Sequence, residues 1–217
     1  MSQTNNQIEV LKRNLEEAII VLAPKFAVSD NKLKTYSTPS FEIVDKKGAF
    51  YDRVDKKFIF SLDLIEDIPS LGEEASHYLH TELNKFHEKK FQKYSKEYWM
   101  AMNLLELVGH YGKLIYANGK EEKITTVKEL YPPNIIFETR EQVEDYWSYK
   151  EGYSKAEKIF AEYGDTLLPR ISGMSVEKAI EILPRLAPVS FYERKILPLL
   201  DKLKGEDIKQ PTVKLGN

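Results

Sequence analysis

The chain has 217 residues, 42% apolar and 30% charged, with 32 basic against 34 acidic side chains and no cysteine. The missing cysteines exclude disulfides, thiolate metal sites and cysteine nucleophiles, and the dispersed, nearly balanced charge excludes an electrostatic footprint for direct nucleic-acid binding. No apolar run reaches membrane-spanning length and Met1-Ser-Gln-Thr-Asn-Asn6 lacks a basic signal region, so no membrane association is expected and the cytoplasm is the expected compartment.

Residues 1–204 are expected to form one domain with a helical subdomain from about 140 to 204, followed by a tail at 205–217. Thr4, with Gln7 three residues on, opens an amphipathic helix carrying Ile8, Leu11, Leu15, Ala18, Ile19 and Leu22 and stopping before Pro24. The stretch from 26 to 65 holds the strands. Phe41-Glu-Ile-Val44 alternates, Lys46-Lys-Gly48 turns, Phe50 and Tyr51 end a run, Asp55-Lys-Lys57 is a polar turn, and Phe58 to Phe60 begin another strand. Two long helices are expected at about 70–92 and 96–117, the second ended by Asn118-Gly119. Thr139-Arg-Glu-Gln142 caps a further helix that ends near Gly164 and bears Tyr146, Trp147, Tyr149, Tyr153 and Phe160. Shorter helices follow from Ser175 and Ser190, broken at Pro184 and kinked at Pro198. The fold class is α+β: a small, mostly antiparallel sheet of three or four strands packed with several long helices.

The chemistry concentrates in Ser70-Leu-Gly-Glu-Glu-Ala-Ser-His-Tyr-Leu-His80. In an HExxH helix two metal ligands lie four residues apart on one face, and the glutamate after the first acts as general base on a water. Here glutamate stands first: Glu73-Glu-Ala-Ser-His77. At about 100° per residue Glu73 and His77 point within roughly 40° of each other, and Glu74 lies to one side as a base should. A carboxylate is an acceptable zinc ligand, and it brings iron and manganese into range. The competing reading is a capping box, Ser70-x-x-Glu73, with Glu73 bonded back to the helix start. His80 is an alternative ligand if Glu73 only caps. His87 sits in a charged stretch and reads as exposed.

The segment from Ser70 to Leu79, preceded by the strand-turn-strand around Tyr51-Asp52, resembles the zincin-like metallopeptidases. The likeness is to the compact gluzincins of the ImmA/IrrE type, which carry Thr-Leu-Ala-His-Glu-Leu-Gly-His-Tyr-Leu at this place. It spans residues 40 to 110, and this chain departs from it in Glu73 for the first histidine and Ser76 for a frequent glycine. The resemblance implies a zincin-like fold, a peptide substrate or protein partner bound along an edge strand near Phe58 to Ser61, and a third ligand from a glutamate on the next helix. Glu106, set within Leu104, Leu105, Leu107 and Val108, is the first candidate and Glu97 the fallback. A tyrosine of the later helix, Tyr149 or Tyr153, would donate its hydroxyl to a developing oxyanion.

Three readings follow. The first is a zinc-dependent (or iron- or manganese-dependent) hydrolase with Glu73, His77 and Glu106 as ligands and Glu74 as base. Its excess of carboxylates predicts a slow or specialised enzyme. The second is a zincin-fold interaction protein without catalysis, favoured by the glutamate at position 73. The third is a helical structural protein in which the motif is accidental. A di-iron bundle ranks below the zincin reading: Glu74-Ala-Ser-His77 fits its Glu-x-x-His pattern, but Glu106 and His110 are four apart and strands interrupt the helices.

Overall fold

A computed structural model describes residues 3–85, 91–131, 135–174, 178 and 192–203. Helix α1 (Gln3–Leu22) buries the stripe Leu11, Leu15, Ala18 and Leu22, and the 3-10 turn Ala23–Phe26 with Pro24 in its first turn ends it. The helix already includes Thr4, so that residue lies inside the first turn. After the short α2 (Asp30–Leu33), three strands form one sheet: β1 (Ser40–Val44), β2 (Ala49–Asp52) and β3 (Lys57–Ser61).

The sheet differs from the expected antiparallel arrangement. Its order is β1-β3-β2, with β1 parallel and β2 antiparallel to β3. The reason lies in β3, whose Phe58 and Phe60 are fully buried and which therefore takes the central place, flanked on both sides. The Lys46-Lys-Gly48 turn thus leads to the far edge rather than closing a hairpin. The turn between β2 and β3 is closed by Asp52 Oδ1, which accepts from the backbone N–H of Val54 at 2.8 Å and of Asp55 at 3.1 Å, with Lys56 left-handed at φ 52°. Lys57 is already in the strand.

Helix α3 (Ile68–Asn84) begins earlier than the motif suggests. Asp67 is the N-cap, its Oδ2 accepting from Ser70 N at 2.8 Å, and Pro69 occupies the first turn, where its missing N–H costs nothing. The proposed Ser70-x-x-Glu73 box is therefore corrected: Ser70 is the third helical residue and Glu73 sits a turn further in. The helix stops at Asn84, with Lys85 left-handed at φ 51°, rather than running to 92. Helix α4 (Lys96–Gly119) is capped by Ser95 and α6 (Arg140–Tyr163) by the Thr139/Gln142 box, with the short α5 (Val127–Leu130) between them. Helix α7 (Leu168–Ser172) follows. A π turn at Tyr192–Ile196 leads into α8 (Leu197–Lys202), where Pro198 starts the helix instead of kinking it. The expected helix starts at Ser175 and Ser190, the break at Pro184, His87 and the tail at 205–217 lie outside the described residues. No helix among the described residues is long and apolar enough to cross a membrane.

The architecture is thus α+β, eight α-helices among the described residues and a three-stranded mixed sheet. Helix α4 is its axis, buried on most sides between α3 and α6. Close approach is possible because the contact points lack side chains. A Cβ at Gly152 of α6 would fall 2.8 Å from Glu106 Cβ and 2.9 Å from Leu107 N; one at Gly72 of α3 would fall 2.8 Å from Tyr116 Cβ. Between α4 and α6, Lys155 Nζ donates to Asn103 Oδ1 at 2.5 Å and Asn103 Nδ2 donates to Ser148 O at 3.3 Å, so the buried ammonium and amide partner each other. Gly152→Ala is expected to lower stability by about 1–3 kcal/mol in urea denaturation, although alanine is the better helix former by about 1 kcal/mol. The added methyl meets backbone, which cannot turn aside.

Candidate metal centre

Each of the three central helices turns one stripe toward a common point. On α3 the four-residue spacing aligns Glu73 with His77. On α4 Glu106, Gly109 and Lys113 follow at three and four residues, and on α6 Tyr149 and Tyr153 are four apart. The result is a buried group in which Glu73, His77 and Glu106 each offer a ligand atom, all within 4.8 Å of one another. His77 Nε2 stands 3.8 Å from Glu106 Oε2. Gly109 makes the room: a Cβ there would lie 2.3 Å from His77 Cε1 and 2.5 Å from its Nε2.

The group opens on a cleft of about 1000 Å³ bounded by β2, α3, α4 and α6, with Tyr51, Glu74, Arg53, Asp145 and Tyr149 among its walls. Glu74 Oε2 accepts the backbone N–H of Tyr51 at 2.6 Å, which ties α3 to β2. The pairing of β2 with β3 leaves Ala49 and Tyr51 with their peptide groups directed away from the sheet, since Ser61 N donates to Gly48 O at 2.8 Å in the same ladder. This corrects the substrate-edge expectation: Phe58 to Ser61 form the central strand, and the edge beside the carboxylates is β2.

Electrostatically the site is crowded with acids. Burial, with Glu73 and Glu106 close by, pushes the Glu74 carboxyl well above the usual carboxylate range. Burial and then Glu73 do the same to Glu106. Burial, aided by the charges of Arg53 and Lys113, pushes the His77 imidazole down to about 3, leaving it neutral. Glu73 has both oxygens engaged: Lys113 Nζ donates to Oε2 at 2.8 Å, and the Tyr153 hydroxyl donates to Oε1.

The expected site residues are therefore distributed as follows. Glu73, His77 and Glu106 are brought together, and Glu74 lies beside them at the cleft wall. Of the two tyrosines, Tyr153 is bonded to Glu73, whereas Tyr149 lines the cleft with its hydroxyl pKa pushed up, chiefly by Glu106 and then by burial. His80 is fully buried on α3 and outside the group of three, its imidazole pushed down to about 3 by burial and then by His77. Glu97 is exposed in the first turn of α4, where it favours the helix dipole, and at 1.5 Å per residue it stands roughly 13 Å along the axis from Glu106. His110 is buried, stacked on Tyr153 at 3.8 Å between centroids, with Nε2 3.9 Å from Glu157 Oε1.

Lys113 and Arg53 were not anticipated. Lys113 had a legible signal: it falls seven residues after Glu106 on the same stripe, in a run of otherwise buried residues. Arg53 sits in the β2–β3 turn, its Nη1 donating to Met102 Sδ at 3.3 Å, and nothing in its spacing distinguishes it.

A divalent cation suits this donor set. Glu106 Oε2 and His77 Nδ1 are buried without a hydrogen-bond partner, and two carboxylates plus one imidazole are ligands that zinc, iron or manganese accept. The sequence matches no family profile, no curated protein and no solved structure at a significant level. Gly109→Ala is expected to lower stability by about 1–3 kcal/mol by displacing the His77 ring. His77→Ala in the same chain should recover part of that loss in the same denaturation assay, because it vacates the space the methyl needs.

Proposed function

We propose that the protein is a zincin-like, metal-dependent hydrolase acting on peptides or proteins, with Glu73, His77 and Glu106 as metal ligands. The carrying observation is the convergence of these three donors within 4.8 Å at the head of an open cleft. Burying acidic groups in this way is costly for folding alone and is characteristic of functional sites. When bound, the cation supplies Lewis acidity toward a carbonyl and lowers the pKa of water.

The chain's own residues supply the rest. Glu74, held by Tyr51 N–H and facing the cleft, is placed to accept a proton from water and return it to a leaving amine. Its raised proton affinity suits that task. Tyr149 stays protonated at neutral pH and can donate to a developing oxyanion, while Tyr153 orients Glu73. The outward peptide groups of β2 offer an edge on which an extended substrate can pair.

One observation favours a second reading, a zincin-like interaction protein without turnover: Lys113 and Tyr153 already satisfy both oxygens of Glu73. A single set of measurements separates the two. Protein purified without chelator or nickel resin is expected to carry one zinc, iron or manganese per chain by elemental analysis, and Glu73→Ala or His77→Ala to lose it. Glu74→Gln should keep the metal and slow cleavage of a peptide mixture, read by mass spectrometry, by about 10²-fold or more. A metal-free native protein would overturn the metal centre; a loaded protein indifferent to Glu74→Gln would establish the second reading.

A further inference from the structure

Lys113 stands on the same stripe of α4 as Glu106, and its ammonium is directed into the acidic group rather than to solvent. Its Nζ donates to Glu73 Oε2 at 2.8 Å, stands 5.5 Å from the centroid of the Tyr153 ring, and belongs to a side chain only 13% exposed. A lysine held so far from water requires a specific negative partner, since its long stem would otherwise carry the charge to the surface.

A count of charges gives that pairing a purpose. In an HExxH centre of the kind whose third ligand is glutamate, one ligand carboxylate and one base carboxylate balance a dication, and both histidines are neutral. In this chain Glu73, Glu74 and Glu106 put three carboxyl groups into the same volume, three negative charges once a bound dication holds them ionised. Against a dication one negative charge is left over, and Lys113 cancels it. Arg53 and Asp145, which also line the cleft, bring one further charge of each sign and leave that balance unchanged. We infer that Lys113 is the charge partner that makes glutamate workable at position 73, so that Glu73 and Lys113 together stand electrostatically where a single neutral histidine stands in HExxH. Lys113 is thus a positioning residue: it fixes one oxygen of Glu73 while Tyr153 fixes the other, and it sets the net charge of the site.

The inference rests on the metal-centre reading and makes an outcome that the motif alone would not suggest. Restoring the histidine should damage the site. Glu73→His leaves Lys113 facing a neutral ring, with one positive charge in excess once a dication binds; adding Lys113→Met restores the balance. Four full-length proteins decide it: the parent chain, Glu73→His, Lys113→Met and the double variant, each titrated calorimetrically with zinc and with manganese. Glu73→His is expected to bind about tenfold or more weakly than the double variant, and Lys113→Met at least as tightly as the parent chain.

Denaturation of the same four proteins in chelator reads the pair without metal. Each single variant should be less stable than the parent chain, and the double variant more stable than the two losses added together. Equal affinities for Glu73→His and the double variant, or strictly additive losses in chelator, would overturn the inference. If none of the four binds zinc or manganese, the metal-centre reading fails, and the compensating role built on it fails too. In that case coupling in chelator would identify Glu73 and Lys113 as a structural ion pair only.

Discussion

The candidate site exists because α4 can lie close to α3 and α6 at once. Gly109 leaves the space that His77 fills, and Gly152 lets α6 approach the backbone beside Glu106. A methyl at either point would push a helix outward by a few tenths of an ångström or more, and donors that now converge within 4.8 Å would separate. Tight packing leaves no slack for the shift to be absorbed. The glycines are thus the geometric condition on which the electrostatics rest, and the packing of three helices and the assembly of the acidic group are one event.

Within that geometry the acids carry an energetic cost that the fold does not need. Three buried carboxyl groups lose hydration and disfavour one another's charge, and the Lys113 ammonium and the Tyr153 hydroxyl hydrogen-bond only to Glu73 among them. Glu74 receives one backbone N–H, whereas Glu106 Oε2 receives nothing. The carboxyl with the fewest partners is thus one of the three residues that could hold a metal ion. His77, kept neutral by burial, is in the protonation state that coordination requires.

Much of this was legible in the sequence because helical spacing is a local property. The four-residue separation of Glu73 and His77, and the placing of Glu106 among leucines, needed no tertiary information. The α6 tyrosines were legible as a stripe, but which of them meets Glu73 depends on how α6 crosses α4, and that is set by Gly152. The sheet is the part least legible, because strand order is non-local: the turns can be read from the residues, whereas nothing in Phe58 to Ser61 taken alone says that it is the central strand and not an edge. The start of α3 was misplaced because Ser70 and Glu73 imitate a capping box, whereas Asp67 followed by Ile68-Pro69 is the stronger start once proline's preference for the first turn is weighed. Moving the cap to Asp67 releases Glu73 from the helix end and gives it wholly to the site.

The bond from Tyr51 N–H to Glu74 then acquires a second meaning. It orients the candidate base, but it also consumes one outward donor of the β2 edge. On the proposed reading, an extended chain pairing with β2 would find the N–H and C=O of Ala49 and the C=O of Tyr51, and nothing more to accept from at Tyr51. Pairing is therefore anchored at the Gly48 end and loosened beside the acids, where a scissile peptide must be free to move toward Glu74. On that reading the edge strand and the candidate base are coupled through one hydrogen bond, so a chain that displaced it to pair fully would release Glu74 from the orientation that Tyr51 gives it.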